Sequence, residues 1–327
     1  MGVIVTGLGA SLPERRLTNQ DLEKMVDTSD EWITTRTGIK ERRIAGEDEP
    51  SSKFAIGAAR QALEDAGMKP EDIDLVIVAT VTPDMMFPST SCIVASELGM
   101  GEIPAFDISA GCSGFLYAMS VGDSFIRSGR ADNVLIIGVE TLSKITDWTD
   151  RTTCILFGDG AGAAVLSRSE EEGILSIELR ADGSKGELLY MPAGGSRMPA
   201  SEYTVKNRLH YLKMNGREVF KYAVTKMPAI SKTALEKAGV DIKDVALFIP
   251  HQANQRITVS TGERLGIDLE KVYSNIDRFG NTSAASIPIA WREAYDKGLI
   301  KKDDIILLAA FGAGFTWGAA VVKWRKP

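Results

Sequence analysis

A thiol, an imidazole, a carboxamide and a run of glycines are the groups in this sequence best placed to do chemistry. Cys112 lies in Ala110-Gly-Cys112-Ser-Gly, after a short apolar run ending near Ile108. Beyond it Phe115, Ala118, Met119, Gly122, Phe125 and Ile126 recur at helical spacing. The pattern predicts a strand, a sharp turn of small residues and a helix beginning at Cys112, with the glycines allowing close backbone approach. His251 ends a predicted strand (245–250) in Pro-His251-Gln-Ala-Asn254. Asn281 follows a second predicted strand (271–277) through Arg-Phe-Gly280. Phe311-Gly-Ala-Gly-Phe-Thr-Trp-Gly318 follows the last strand and offers backbone N–H groups. Open α/β sheets place ligands at the carboxyl ends of their strands, so four strand ends bring these groups to one place.

Their types suggest a reaction. A cysteine at a helix start meets unpaired N–H groups and the positive end of the helix dipole. The expectation is a thiol pKa pulled below its free value of about 8.5, hence a nucleophile. The turn resembles the nucleophile elbow of serine hydrolases with Cys in place of Ser. Yet a hydrolase usually orients its histidine with a carboxylate, and no acidic partner is evident. A neutral imidazole and a carboxamide suit a different chemistry. They can donate hydrogen bonds to an oxyanion, as when loss of CO₂ leaves an enolate.

The elements that must carry these groups repeat. An offset of about 172 positions sets Ala62-Leu-Glu-Asp-Ala-Gly67 on Ala234-Leu-Glu-Lys-Ala-Gly239. It also sets the strand 75–78 on 247–250, and Cys112 on Ala284. A self-match of this kind reads as a duplicated unit, here with halves at 1–170 and 171–327 and the nucleophile kept in the first. Alternating strands and helices imply two sheets covered by helices. Helices are expected at 19–26, 52–66 and 91–98, the last with Cys92 in the core, and strands at 74–80 and 133–140.

Composition removes several classes. Hydrophobic residues make up 44% and charged residues 25% of the 327, an ordinary globular balance. No apolar run approaches the roughly 18 residues of a membrane span, and the first residues read as a strand rather than a leader. Three cysteines make no disulfide framework and have no metal-ligand spacing, so a cytoplasmic enzyme is expected. A net charge of −6 argues against nucleic acid as a general partner. One stretch departs from it: Lys206, Arg208, Lys213, Arg217, Lys221, Lys226 and Lys232 stand against Glu218 alone, a docking face for an acidic partner. Trp32 among Arg36, Arg42 and Arg43 offers an aromatic face and guanidinium groups to a nucleotide.

Together, Ala110-Gly-Cys112-Ser-Gly, His251-Gln-Ala-Asn, Gly280-Asn281-Thr-Ser-Ala-Ala-Ser and Phe311-Gly-Ala-Gly-Phe-Thr-Trp-Gly resemble the β-ketoacyl-acyl-carrier-protein synthase III family, within the thiolase superfamily. The resemblance runs end to end. It implies an α/β, thiolase-like fold of duplicated halves in αβαβα layers, a homodimer, and a decarboxylative Claisen condensation that starts fatty-acid synthesis with no cofactor beyond its acyl-CoA substrate. By the same matching Cys112 takes the acyl group, with its own N–H and that of Ala313 as oxyanion hole. His251 and Asn281 hold the malonyl thioester. Trp32 and Arg151 flank the CoA adenine, Arg36 meets its phosphates, and Phe87 lies near the acyl pocket. Lys221 with Gln252, Ala253, Asn254, Gln255 and Arg256 docks the acidic acyl carrier protein. Where the family often has three glycines this chain has Gly312-Ala313-Gly314, which raises the question of a strained φ at Ala313. The alternatives are a sister Cys-His-Asn condensing enzyme of secondary metabolism, a cysteine thioester hydrolase, and a non-enzymatic chain-length subunit, which should lack the cysteine.

Overall fold

A computed structural model of the chain describes residues 2–326. Two mixed sheets form its frame. The first holds, in spatial order, the strands Gly2–Ser11, Asp159–Ser169, Asn133–Thr141, Leu75–Ala79 and Ala105–Ile108. The second holds Ile174–Ala181, Thr316–Lys323, Ile305–Gly312 and Val245–Pro250 in the matching order. In each, the inner pair is antiparallel and the next pair parallel. A single parallel bridge from Phe248 to Val272 continues the second sheet where Ala105–Ile108 completes the first. The duplication read from the sequence is therefore a duplication of topology.

Strand periodicity divides the cores. In Leu75–Ala79, residues 75, 77 and 79 enter the central core while Val76 and Val78 enter the outer one, as a two-residue repeat requires. With both faces covered, such strands read as continuous apolar runs. The helices Gly114–Arg127 and Ser286–Asp296 lie between the sheets, and Phe115, Leu116, Met119, Ile287 and Trp291 pack there against Ile136, Ile249 and Leu308. Ser51–Ala66 covers the outside of the first sheet through Ala55, Ala58, Ala59 and Ala62. Gly216–Ala238 and Gln255–Leu265 cover the second. The result is five layers, α-β-α-β-α. A satellite core of Leu17, Leu22, Ile33, Ile39 and Ile44 carries the Trp32 segment onto Ile155 and Ile276.

Three expectations change. Cys92 is exposed rather than core, because its helix Thr90–Leu98 turns Val94 and Ala95 inward instead. The helix expected at 19–26 is confined to Asn19–Glu23. The strand expected at 271–277 is not one: Leu269–Lys271 is a 3₁₀ turn and Ile276–Phe279 a short helix, so Asn281 arrives on a loop.

Candidate active site

The turn carrying Cys112 is a 3₁₀ turn, Gly111–Ser113, running into the helix Gly114–Arg127. Gly111 has φ +52°, and a Cβ there would meet the Ala313 backbone nitrogen at 2.9 Å. Gly312 is closer still: a Cβ on it would stand 2.5 Å from the Cys112 nitrogen. The Gly-rich turn and the nucleophile turn thus touch backbone to backbone. Thr316 fastens them, its Oγ1 donating to the carbonyls of Ala110 (2.7 Å) and Ala313 (3.0 Å). Ser113 Oγ donates back to the Thr316 carbonyl at 3.1 Å. The N–H groups of Cys112 and Ala313 both favour the thiolate form of the sulfur. Ala313 does not adopt a positive φ, so its methyl carries no left-handed strain.

The thiol does not titrate as the sequence suggests. Burial pushes Cys112 up to about 11, with the nearby Glu140 carboxylate acting in the same direction. The Ser283 hydroxyl and the two N–H groups oppose this without overcoming it. Desolvation of a thiolate outweighs the end of one helix.

His251 is 2% exposed, and burial pushes its imidazole down to about 3. Its Nδ1 lies 2.6 Å from Ser286 Oγ. That oxygen also accepts the Gln252 N–H at 3.4 Å, and its own proton is available to Nδ1. With Ser286 donating to Nδ1, the neutral ring carries its proton on Nε2, which is then an N–H donor. Asn281 is oriented in a similar way: the Ser283 N–H donates to its Oδ1 at 2.8 Å, which frees the amide NH₂ as a donor. Gly280, at φ +63°, permits the approach, since a Cβ would strike the Leu156 carbonyl oxygen at 2.8 Å.

Cys112, His251 and Asn281 line one cavity of about 470 Å³, together with Phe157, Phe311 and Gly312. Trp32 and Arg36 line it too, as do Arg217, Phe220, Ala253, Asn254 and Arg256. Trp32 has the guanidinium carbons of Arg36 and Arg151 each 5.0 Å from its ring centroid. Arg151 is not itself in the lining but donates to the Asp27 carbonyl at 2.8 Å.

Two expected site residues lie outside the cavity lining. Phe87 is 84% exposed and absent from the cavity lining, because the loop after Leu75–Ala79 carries it outward with Met85 and Met86. Gln252 is 1% exposed and cannot serve a docking face. Its amide donates to the Pro250 and Tyr273 carbonyls and accepts from Ser274 and Asn275. The basic stretch is also smaller than its composition. Arg208 is bound to Asp147 and Lys226 lies over Trp317. Arg217, Lys221 and Lys232 stay exposed on one face of Gly216–Ala238, with Arg256 over Phe220 beside them. Sequence reasoning missed Glu140, Ser283 and Ser286. The available signal was Glu140 itself, the one charge at the carboxyl end of the apolar run 134–139.

A duplicated five-layer fold holding Cys, His and Asn in one cavity beside a Gly-rich turn defines a thiolase-like condensing enzyme. Family models described as 3-oxoacyl-[acyl-carrier-protein (ACP)] synthase III match residues 106–183, and for its C-terminal part residues 235–324. The chain is 59% identical over 323 residues to beta-ketoacyl-[acyl-carrier-protein] synthase III of Caldanaerobacter subterraneus subsp. tengcongensis, covering 98% of each. The crystal structure of 3-oxoacyl-[acyl-carrier-protein] synthase III from Aquifex aeolicus superposes with a TM-score of 0.92 at 52% identity, over 99% of this chain and 100% of that one. The priming β-ketosynthase of the R1128 polyketide pathway matches with a TM-score of 0.93 at 35% identity, over 100% and 97%. The chain belongs to the β-ketoacyl-acyl-carrier-protein synthase III family, the condensing acyltransferases that initiate fatty-acid synthesis. The reading as an enzyme of secondary metabolism is disfavoured by the higher identities on the fatty-acid side.

Proposed function

We propose that Cys112 accepts a short acyl group from acyl-CoA and that His251 and Asn281 then support decarboxylation of malonyl-acyl carrier protein beside it. The single observation that carries this is that all three line one cavity with Trp32 and Arg36. Attack by sulfur on the thioester places negative charge on the acyl oxygen, and the N–H groups of Cys112 and Ala313 are the donors available to it. In the second half, His251 Nε2–H and the Asn281 amide donate to the malonyl thioester oxygen as CO₂ departs. The carbanion so formed attacks acyl-Cys112, giving a β-ketoacyl carrier-protein thioester. The reaction takes its driving force from decarboxylation and needs no cofactor.

The remaining assignments follow the surface. Trp32, Arg36 and Arg151 take the adenine and phosphates of CoA at the cavity's outer end. Lys221, Ala253, Asn254, Gln255 and Arg256, with Arg217, receive the acidic carrier protein. Met85, Met86 and Phe87 are exposed together, and the edge strand Ala105–Ile108 pairs on one side only; both favour a homodimer built across that edge. Free cysteines fit a cytoplasmic enzyme.

The test is incubation with acetyl-CoA alone. A condensing enzyme keeps a stable acetyl group on Cys112, visible in the intact mass and lost in Cys112→Ala, whereas steady release of acetate with no adduct would establish a hydrolase instead.

A further inference from the structure

Behind the thiol lies a buried carboxylate that the condensation described so far leaves unused. Glu140 is 0% exposed and lies at the end of the strand Asn133–Thr141. Its oxygens accept from Thr82 Oγ1 at 2.7 Å, the Val81 N–H at 3.2 Å and Thr80 Oγ1 at 3.4 Å. The fourth donor is Ser283 Oγ at 3.1 Å from Oε1, on a turn packed against the Gly111–Ser113 turn that carries the thiol, where the hydroxyl favours the Cys112 thiolate. Ser283 is held there at φ +48°, a conformation rare outside glycine. These hydrogen-bond partners are all neutral, and Cys112 is the titratable group facing Glu140. An unpaired carboxylate fully removed from water is costly. Here the Ser283 hydroxyl, bonded to Glu140 Oε1, is the group placed between that carboxylate and the Cys112 turn.

We propose that Glu140, acting through the Ser283 hydroxyl, takes up the Cys112 proton during acylation and returns it when the thiolate is released. The inference rests on Cys112 being the acylated nucleophile. In the first half the sulfur electron pair forms the bond to the acyl carbon as the bond to the CoA sulfur breaks. The thiol proton moves to Ser283 Oγ while the Ser283 proton moves to Glu140, and the departing CoA thiolate takes a proton from water. In the second half the malonyl carbanion bonds the acyl carbon and the bond to Sγ breaks. The thiolate then recovers a proton from Ser283, and Glu140 returns its own to Ser283. Between the two halves Glu140 is neutral, so the carbanion develops beside an uncharged carboxyl.

The experiment compares two single turnovers in the wild type, Glu140→Gln and Ser283→Ala. Rapid quench with acetyl-CoA measures acylation; enzyme preloaded to completion and mixed with malonyl-acyl carrier protein measures the first condensation. Both variants should acylate about 100-fold more slowly, the scale of lost general-base assistance. The first condensation from preloaded Glu140→Gln should stay within about threefold of wild type, because its amide mimics the neutral carboxyl. Wild-type acylation should rise with pH through an inflection near 7, where burial has pushed the Glu140 carboxyl. Glu140→Gln should lack that inflection; His251, held near 3, and Cys112, near 11, do not supply one there. Acylation at the wild-type rate in both variants, or equal loss of both half-reactions, overturns the relay. Absence of any acyl adduct on wild-type Cys112 overturns the nucleophile assignment itself.

Discussion

His251 shows how a side chain is tuned by removing solvent rather than by adding a partner charge. Burial holds it neutral, and Ser286 hydrogen-bonds its Nδ1. His251→Ala or Asn281→Ala should lower condensation by about 10²–10³, the cost of one oxyanion donor, while acetylation of Cys112 continues. Rapid-quench measurement of the two half-reactions checks this. Ser286→Ala frees the ring to take either tautomer and should slow condensation about tenfold, with the Cys112 acylation rate again as the control. These three roles were unequally legible. Cys112, His251 and Asn281 could be read because each sits in a run of small residues or at a strand end. Ser283 and Ser286 could not, since a serine beside Asn281 reads as turn chemistry until the fold brings residues 140 and 251 to it.

At the scale of elements, the site depends on two turns approaching more closely than side chains allow. Gly312→Ala would press a methyl onto the Cys112 nitrogen, and the contact is backbone, which cannot swing aside. Separation of the turns should cost about 1–3 kcal/mol of stability and most of the acylation rate, read from a denaturant titration and the acetyl-CoA burst. The exposed basic face of Gly216–Ala238 and Arg256 belong to a different step. Arg256→Glu should raise KM for malonyl-acyl carrier protein several-fold and KM for acetyl-CoA much less; equal effects would move the docking face elsewhere. Glycines and the helix periodicity around 115–126 announced the elbow. The loop that delivers Asn281 was misread as a strand, because Val272 and Tyr273 are apolar yet form only one sheet bridge. Buried Gln252 likewise looked like a contact residue from its neighbours in sequence.

For the whole molecule, Glu140 and His251 act on stability in opposite directions. The folded state raises the Glu140 carboxyl from its ordinary value of 4.5 to about 7, so it holds a proton that the unfolded chain has released, and stability falls as pH rises through that window. His251, lowered from 6.5 to about 3, loses stability as pH falls below 6.5. Each contributes about 1.4 kcal/mol per pH unit inside its window, and between 4.5 and 6.5 the two largely cancel. Glu140→Gln removes one side of this balance: its Tm should exceed that of the wild type, and by more at about pH 8 than at about pH 5, in scanning calorimetry across that range. A gain that is flat with pH would place the carboxylate's cost elsewhere. The two-sheet frame was legible because internal repetition shows in a single sequence. The pairing of a strand end in one half with a turn in the other was not, since it exists only once the halves face each other.

That confrontation is pseudo-symmetric. The offset that sets Cys112 on Ala284 also sets Gly111 on Ser283 and Gly312 on Glu140. In one copy a bare backbone leans on the backbone of the nucleophile; in the other an acid leans on a hydroxyl. Restoring likeness between the copies, by glycine at 140 or 283, would therefore erase a function rather than repair a defect. Working asymmetry here was made from twin parts by letting each diverge against its sibling.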